Sequence, residues 1–168
     1  MLRKAPAMAA GQLRWLALTV AVIGLDQWSK RAVEGALQMY EAHYYLPVFN
    51  LVRAHTRGAA FSMFDGASGW QRWVFSGLAA VVSVSLTIWL SRLERRANLL
   101  GIALALILAG AVGNVIDRLR LGYVVDFLQV HWHEHYFPAF NVADSAITIG
   151  AACLLLDALL TSRRETGV

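Results

Sequence analysis

The sequence predicts an all-α membrane protein built as a bundle of four transmembrane helices. Of its 168 residues, 58% are hydrophobic and only 15% are charged, whereas soluble domains average about 25% charged residues. The apolar residues also gather in four long runs. This composition excludes a disordered segment and a coiled coil. A single cysteine excludes a disulfide scaffold, and two lysines are too few for an arm that binds nucleic acid.

The four predicted spans cover about residues 14–33, 71–91, 97–117 and 140–160 of a single integral membrane domain. A membrane helix needs roughly 20 mostly apolar residues to cross a hydrocarbon core about 30 Å thick. The second and third spans meet this requirement with uncharged runs, whereas the first and fourth are interrupted by charged residues. The extracytoplasmic loops are expected at about residues 34–70 and 118–139.

The arginines and lysines set the expected orientation of the spans. Residues 92–96, between the second and third spans, hold three arginines, and both termini are basic next to a span. Because short cytoplasmic segments are enriched in Lys and Arg, we expect both termini to be cytoplasmic. The run at residues 15–25 resembles a signal-peptide core, but the polar sequence after it lacks a small-x-small cleavage site.

The two outer loops contain strand-like segments at residues 46–52 and 123–128. Both are rich in β-branched and aromatic residues, which favour strands. The sequence therefore predicts a small extracytoplasmic sheet.

Polar residues cluster at the outer ends of the predicted spans. Burying an ionisable group in a span costs on the order of 2.5–3.5 kcal/mol at its centre, so each one needs a reason. If the four-span topology is right, all of these residues meet at one membrane surface. They are Asp26, Lys30, Asn114, Asp117, Arg118, Asp126, Asn141 and Asp144.

Two interpretations of this polar cluster stay open at this stage. Structurally, Asp26 can pair with Lys30 and Asp117 with Arg118, while Asp144 can interact with the dipole of its own helix. Functionally, Asp126 and Asp144 form a candidate acid pair. Two close carboxyl groups in a poorly solvated place share one proton. The ionised carboxyl can then activate water while the protonated one hydrogen-bonds a scissile carbonyl, which hydrolyses a peptide without a metal.

Five motifs in order along the chain resemble those of the lipoprotein signal peptidases (signal peptidase II), aspartic proteases of the bacterial cytoplasmic membrane. The resemblance covers nearly the whole chain from Asp26. The motifs are DQWSK at 26–30, GAAFS at 58–62, GNVIDR at 113–118, GYVVDF at 122–127 and FPAFNVADS at 137–145.

The resemblance implies that Asp126 and Asp144 are the catalytic dyad of a signal peptidase II, and it also implies supporting residues. Asn114, Arg118 and Asn141 would bind substrate backbone or hold the dyad. Further support for the site would come from Asp26, Lys30 and Gly58.

For the fold, the resemblance implies a four-helix membrane bundle with a small extracytoplasmic β-cradle and a short periplasmic helix after Phe61. The active site would lie on the periplasmic side of the inner membrane. The implied substrate is a prolipoprotein carrying diacylglycerol on its lipobox cysteine, cleaved on the N-terminal side of that cysteine. Membrane lipids and the inhibitor globomycin are the other implied partners. We expect a monomer with no cofactor, no metal and no nucleic-acid partner.

The chain departs from the family at one position. The family usually has Asn two residues before the glycine of the GAAF motif, and here Thr56 stands there. Threonine keeps a hydroxyl that can donate and accept, but it lacks the second donor of an amide.

Three other functions each account for some of the polar residues. His131, His133 and His135 alternate as zinc ligands on a strand would, but the helical His-Glu-x-x-His spacing is missing. Ser29 and Lys30 are the candidate pair of a serine–lysine protease, although adjacent helix residues are badly placed for contact. An ion transporter needs polar groups across the bilayer, and the inner halves of three spans are apolar. Cys153 is interpreted as a packing residue.

Overall fold

The computed structural model describes residues 10–56, 69–93 and 97–165, which form four α-helices and one small antiparallel sheet. In chain order the elements are α1 (Ala10–Ala36), β1 (Ala42–Leu46), β2 (Phe49–Thr56), α2 (Trp70–Ser91), α3 (Asn98–Arg120), β3 (Val124–Trp132), β4 (His135–Tyr136) and α4 (Val142–Glu165). Gly58 and the short helix predicted after Phe61 lie outside the described residues.

Helix α3 lies at the centre of the bundle and packs against the other three helices. Many of its buried positions are glycine or alanine. A Cβ atom at Gly113 would lie 2.7 Å from Asp26 Oδ2 of α1, and one at Gly110 would lie 3.1 Å from the carbonyl carbon of Ala143 on α4. Small residues let helix backbones approach closely in membranes. Gly110 and Gly113 therefore allow α1 and α4 to pack closely against the C-terminal half of α3.

Three of the described helical segments are long and apolar enough to cross a membrane. They are Arg72–Ser91, Asn98–Arg120 and Val142–Ser162. Helix α1 has 27 residues, about 40 Å at 1.5 Å per residue, but its charged residues keep it out of this set. The first predicted span, residues 14–33, therefore stays a prediction.

The sheet has the strand order β1-β2-β3-β4, with every neighbouring pair antiparallel. Its register places Ala54 opposite Asp126 and Thr56 opposite Val124. The small sheet expected from sequence is thus a four-stranded antiparallel sheet, and Thr56 ends its second strand beside Asp126.

The strand-like segment at residues 46–52 is not one strand. The chain turns at Pro47 and Val48, so Leu46 ends β1 and Phe49 begins β2. Proline has no backbone N–H and therefore cannot donate to a strand ladder. Strand β2 therefore starts three residues after the predicted start and ends four residues after the predicted end, at Thr56.

The segment before α4 docks on β3 through backbone hydrogen bonds. The amides of Phe127 and Leu128 donate to Phe140 O at 3.0 and 2.8 Å, and Phe140 N donates to Leu128 O at 2.9 Å. The sheet is also tied to α1, because Arg53 Nη1 donates to the carbonyls of Glu34 and Leu37 at 3.1 and 3.0 Å. These contacts set the start of α4 beside the strand that carries Asp126.

Candidate active site

A buried ionic cluster joins α1 to α3. Lys30 Nζ lies 2.9 Å from Asp26 Oδ2 and 2.8 Å from Asp117 Oδ2, and all three residues are at most 3% exposed. Gln27 Nε2 donates to Asp117 Oδ1 at 2.8 Å. Buried charges are stable only when they are paired and hydrogen-bonded, and here one ammonium lies between two carboxylates.

Each carboxylate of the cluster also accepts a backbone amide from a neighbouring element. Ala143 N, in the first turn of α4, donates to Asp26 Oδ1 at 2.9 Å. Val125 N, on β3, donates to Asp117 Oδ2 at 3.3 Å. The cluster thus fixes the strand before Asp126 and the helix turn of Asp144 relative to α1 and α3.

The structure confirms the pairing expected for Asp26 with Lys30 but corrects that of Asp117. Asp117 pairs with Lys30 and not with its chain neighbour Arg118. Adjacent residues of a helix point in different directions, so they do not face each other. The Arg118 guanidinium instead lies over the Phe75 ring, with its carbon 5.6 Å from the ring centroid.

Lys30 also fixes the orientation of the Asn114 amide. Lys30 Nζ donates to Asn114 Oδ1 at 3.1 Å. Since an ammonium has no lone pair, the oxygen of this amide must face Lys30 and its nitrogen must face away. Asn114 Nδ2 then donates to Asp144 Oδ1 at 2.8 Å. The ionic cluster therefore positions one oxygen of Asp144.

Helix α4 begins with a reciprocal cap. Asp144 N donates to Asn141 Oδ1 at 2.9 Å, and Asn141 N donates to Asp144 Oδ2 at 3.3 Å. This Asn-x-x-Asp arrangement satisfies two helix-end amides in the manner of a capping box. With its oxygen held by the cap, the Asn141 amide turns its nitrogen to Asp126 Oδ1 at 2.7 Å. One residue thus positions both candidate carboxyl groups.

Asp126 and Asp144 border one cavity of about 1200 Å³. Asp126 is 4% exposed, and this burial raises its pKa to about 7. That pKa of about 7 also includes a lowering by the hydrogen bonds from Thr56 and Asn141 and a raising by the nearby charge of Asp144. A carboxyl group with a pKa near neutrality is suited to general acid–base work.

Thr56 is the site residue whose contact sequence reasoning missed. Its Oγ1 donates to Asp126 Oδ2 at 2.5 Å, and it borders the same cavity. The available signal was its position two residues before Gly58, where the resembling family has Asn. Asp117 and Gln27 also belong to the polar network, through Lys30.

The residues of the alternative functions lie differently. Of the three histidines, His131 is on β3 and His135 on β4, and His133 lies in the turn between them. They are therefore not aligned on one strand. Ser29 Oγ donates to Asp26 O of its own helix at 2.9 Å, whereas Lys30 Nζ contacts carboxylates. Nothing in this geometry favours zinc or a serine nucleophile.

Comparisons with known proteins match this architecture over most of the chain. A family model described as signal peptidase (SPase) II matches residues 18–160. The lipoprotein signal peptidase of Pseudomonas fluorescens is 52% identical over 94% of this chain and 92% of its own. Its counterpart from Pseudomonas putida is 49% identical over 94% of each chain, and that from Pseudomonas aeruginosa is 53% identical over 88% of each.

Solved structures are similar as well. Two structures described as bacterial membrane enzymes, obtained by the in meso method at 2.3 and 1.9 Å resolution, are each 26% identical to this chain. Their TM-scores are 0.80 and 0.78. The first match covers 90% of both chains, and the second covers 87% of this chain and 92% of the other.

Proposed function

Because the chain belongs to the signal peptidase II family, we propose that it removes the signal peptide from diacylglyceryl-modified prolipoproteins as an aspartic endopeptidase. Cleavage falls on the N-terminal side of the lipidated cysteine. The observation that supports the aspartic mechanism is that Asn141 contacts both carboxyl groups, Asp126 Oδ1 through its side chain and Asp144 Oδ2 through its backbone N, while both aspartates border one cavity.

The proposed chemistry needs one proton shared by the two carboxyl groups. The ionised carboxyl takes a proton from a water molecule as that water attacks the scissile carbonyl, and the protonated one donates to the carbonyl oxygen. The tetrahedral intermediate then breaks its C–N bond, and the leaving amine takes a proton from the carboxyl that accepted it from water. The pair returns to its starting protonation, so no metal or covalent intermediate is needed.

The cavity suits a lipidated peptide at a membrane surface. Beside the two carboxyl groups it is lined by Phe140 and, along α4, by Ile147 and Ile149. We propose that the peptide backbone lies near the carboxyl groups while apolar parts of the substrate lie along α4. Burial from water is worth roughly 0.8 kcal/mol per CH₂, and the gain here is smaller because the acyl chains already lie in the bilayer.

Arg118 is proposed to bind substrate backbone. It borders the cavity, and its buried Nε has no hydrogen-bond partner among the residues that the structure describes. Nη1 donates only a long bond, 3.5 Å, to Asn114 O. A guanidinium with unused donors beside a cavity is suited to a peptide carbonyl. Asn114 and Asn141, by contrast, donate to the carboxyl groups and are proposed to hold the dyad.

Helix α1 is proposed as a membrane span in addition to the three apolar helices. Its apolar residues Val20, Leu25 and Trp28 are 51–68% exposed, whereas Asp26 and Lys30 are buried. This inverted distribution is typical of a helix that faces lipid. With four spans and basic cytoplasmic segments, both termini lie in the cytoplasm and the site opens on the periplasmic side of the inner membrane.

Cleavage of a synthetic diacylated lipobox peptide by the purified full-length protein tests this function. Mass analysis should give a product that begins at the lipidated cysteine, globomycin should block the reaction, and Asp126→Asn and Asp144→Asn should each abolish it. Asp157→Asn is the matched control, because Asp157 lies on α4 near its opposite end. Turnover by either dyad variant near the rate of the unaltered protein would refute the assignment.

A further inference from the structure

The two carboxyl groups of the site are held by different kinds of donor. Within the described ranges, Asp126 accepts from Asn141 Nδ2 on Oδ1 and from Thr56 Oγ1 on Oδ2. Asp144 accepts from Asn114 Nδ2 on Oδ1 and from Asn141 N on Oδ2. Three of these donors are amide N–H groups, which can only donate, while the fourth is a hydroxyl, which can donate or accept.

This difference decides where a proton fits best. If Asp144 were protonated on the side of either oxygen that faces its partner, the new O–H would point at the N–H of Asn114 or Asn141. Two donors cannot form a hydrogen bond with each other, so that contact would be lost. The same holds for Oδ1 of Asp126. A proton on Asp126 Oδ2 can instead be donated to Thr56 Oγ1, because the hydroxyl oxygen has free lone pairs. Of these four contacts, the one to Thr56 survives protonation.

We propose that Asp126 carries the shared proton on Oδ2, that Thr56 is the positioning residue whose hydroxyl accepts from and orients that proton, and that Asp144 is the carboxylate that deprotonates water. This inference rests on the proposed function, because it assigns the roles within the dyad. The register of β2 and β3 holds the contact in place, since Thr56 lies opposite Val124 and Ala54 opposite Asp126.

The roles follow through one turnover. The arriving substrate carbonyl accepts the proton of Asp126, and the Thr56 hydroxyl rotates to donate to the carboxylate that results. Asp144 takes one proton of the attacking water and later gives it to the leaving amine. When the C–N bond breaks, the former carbonyl oxygen returns its proton to Asp126. Thr56 thus keeps its contact with Asp126 in both protonation states. Before the substrate binds, Asp144 is ionised and keeps its contacts with Asn114 and Asn141.

The electrostatics of Asp126 give the sign of the pH effect expected when the Thr56 hydroxyl is removed. Burial is the main cause that raises its pKa to about 7, and within that value the Thr56 hydrogen bond acts in the opposite direction, because a hydroxyl that donates to the carboxylate stabilises the ionised form. Loss of the Thr56 hydroxyl should therefore raise the pKa of Asp126. If Asp126 must be protonated for turnover, the alkaline limb of the pH profile then moves to higher pH.

Steady-state kinetics of purified full-length variants between pH 5 and 9 test the proposal. Thr56→Val, which keeps the shape and removes the hydroxyl, should lower kcat roughly 10- to 100-fold, as expected for a lost hydrogen bond to a charged group. Its KM should stay close to that of the unaltered protein, and its alkaline limb should move to higher pH. Thr56→Ser should restore both kcat and the limb.

The matched control is Thr87→Val, because Thr87 on α2 donates only to Ser83 O of its own helix. It should leave kcat and the pH profile unchanged. Where Thr56→Val does not accumulate in membranes, Thr56→Ala repeats the test with a smaller side chain.

An unchanged kcat and alkaline limb in the hydroxyl-free variant would overturn the proposal. So would a Thr56→Ser variant as slow as Thr56→Val, because the lost property would then be the methyl group. The dyad variants separate this failure from that of the proposed function. If Asp126→Asn still turns over, the function itself fails. If both dyad variants are inactive and Thr56→Val is unaffected, only the role of Thr56 fails.

Discussion

Asn141 and Asp144 cap each other at the start of α4, with Asp144 N 2.9 Å from Asn141 Oδ1 and Asn141 N 3.3 Å from Asp144 Oδ2. The same Asn141 side chain donates to Asp126 Oδ1 at 2.7 Å. The residue that caps α4 therefore also positions the carboxyl groups of Asp126 on β3 and Asp144 on α4 relative to each other. Its two functions can be separated by substitution.

Asn141→Ser separates capping from dyad positioning. Serine caps helices about as well as asparagine, but it has no Nδ2 to reach Asp126. Because Asn141 Nδ2 also donates to Val125 O at 3.2 Å and to Asn114 Oδ1 at 3.3 Å, we expect a strong loss of turnover and a melting temperature between those of the unaltered protein and Asn141→Ala. Asn141→Ala should lose turnover and, in addition, about 1 kcal/mol of stability with the cap. Melting curves and peptide cleavage, measured on the same preparations, check both. An active Asn141→Ser variant would contradict the positioning role.

Ser29→Ala should leave turnover almost unchanged. Its hydroxyl donates to a carbonyl of its own helix, so the variant loses no contact with the site. Lys30→Met, in contrast, leaves Asp26 and Asp117 buried without their cation and should destabilise the protein by about 3–5 kcal/mol. Lys30→Met should lose activity whether Lys30 has a structural or a catalytic role, so it does not distinguish the two. Cleavage by Ser29→Ala is therefore the deciding measurement. Inactivity of Ser29→Ala in a folded protein would support a serine–lysine mechanism.

Gly113→Ala should destabilise the bundle and lower activity. The added Cβ would lie 2.7 Å from Asp26 Oδ2 and 3.3 Å from the Ala143 Cβ, and the Asp26 carboxylate is already held by Lys30 and by the Ala143 amide. Overpacking of this kind costs typically 1–3 kcal/mol. Gly77→Ala on α2 is the matched control, because nothing lies within 4 Å of its added Cβ. Thermal melting in detergent compares the two, and equal melting temperatures would show that the close contact at Gly113 is not needed.

Chelators should not inhibit the enzyme. The proposed reaction uses two carboxyl groups and water, and the alternating histidines are divided between β3, a turn and β4. Cleavage of the lipidated peptide after dialysis against a strong chelator should match the untreated rate. A loss of activity that zinc restores would favour the metalloprotease alternative.

Sequence predicted well those features that local patterns determine. The uncharged runs became α2 and α3, the family resemblance is confirmed, and the expected partner of Asp26 is its i,i+4 neighbour Lys30. The structure brings both candidate carboxyl groups to one cavity, while their catalytic roles stay predictions. Asp26 and Lys30 lie on one helix face, and each candidate carboxyl group lies within a sequence motif, so spacing along the chain is enough to identify them.

The remaining contacts depend on tertiary packing. Asp117 pairs with Lys30 from another helix instead of its neighbour Arg118, because α3 turns that face towards α1. The contact between Thr56 and Asp126 depends on a strand register with a shift between Leu51 and Ala54. No local pattern determines which residue of β2 faces which residue of β3, so the family motif could draw attention to Thr56 but could not predict its contact with Asp126.

The carboxyl titration of Asp126 tests the central claim most directly. Full-length protein labelled with carbon-13 at aspartate carboxyls, with Asp126→Asn used to assign the signal, should show Asp126 titrating near pH 7, its pKa raised first by burial and further by the Asp144 charge. Asp144→Asn removes that charge, so the midpoint of Asp126 should move to lower pH. A midpoint near the ordinary aspartate value, about 3.9, or one that Asp144→Asn leaves in place, would contradict a dyad that shares one proton.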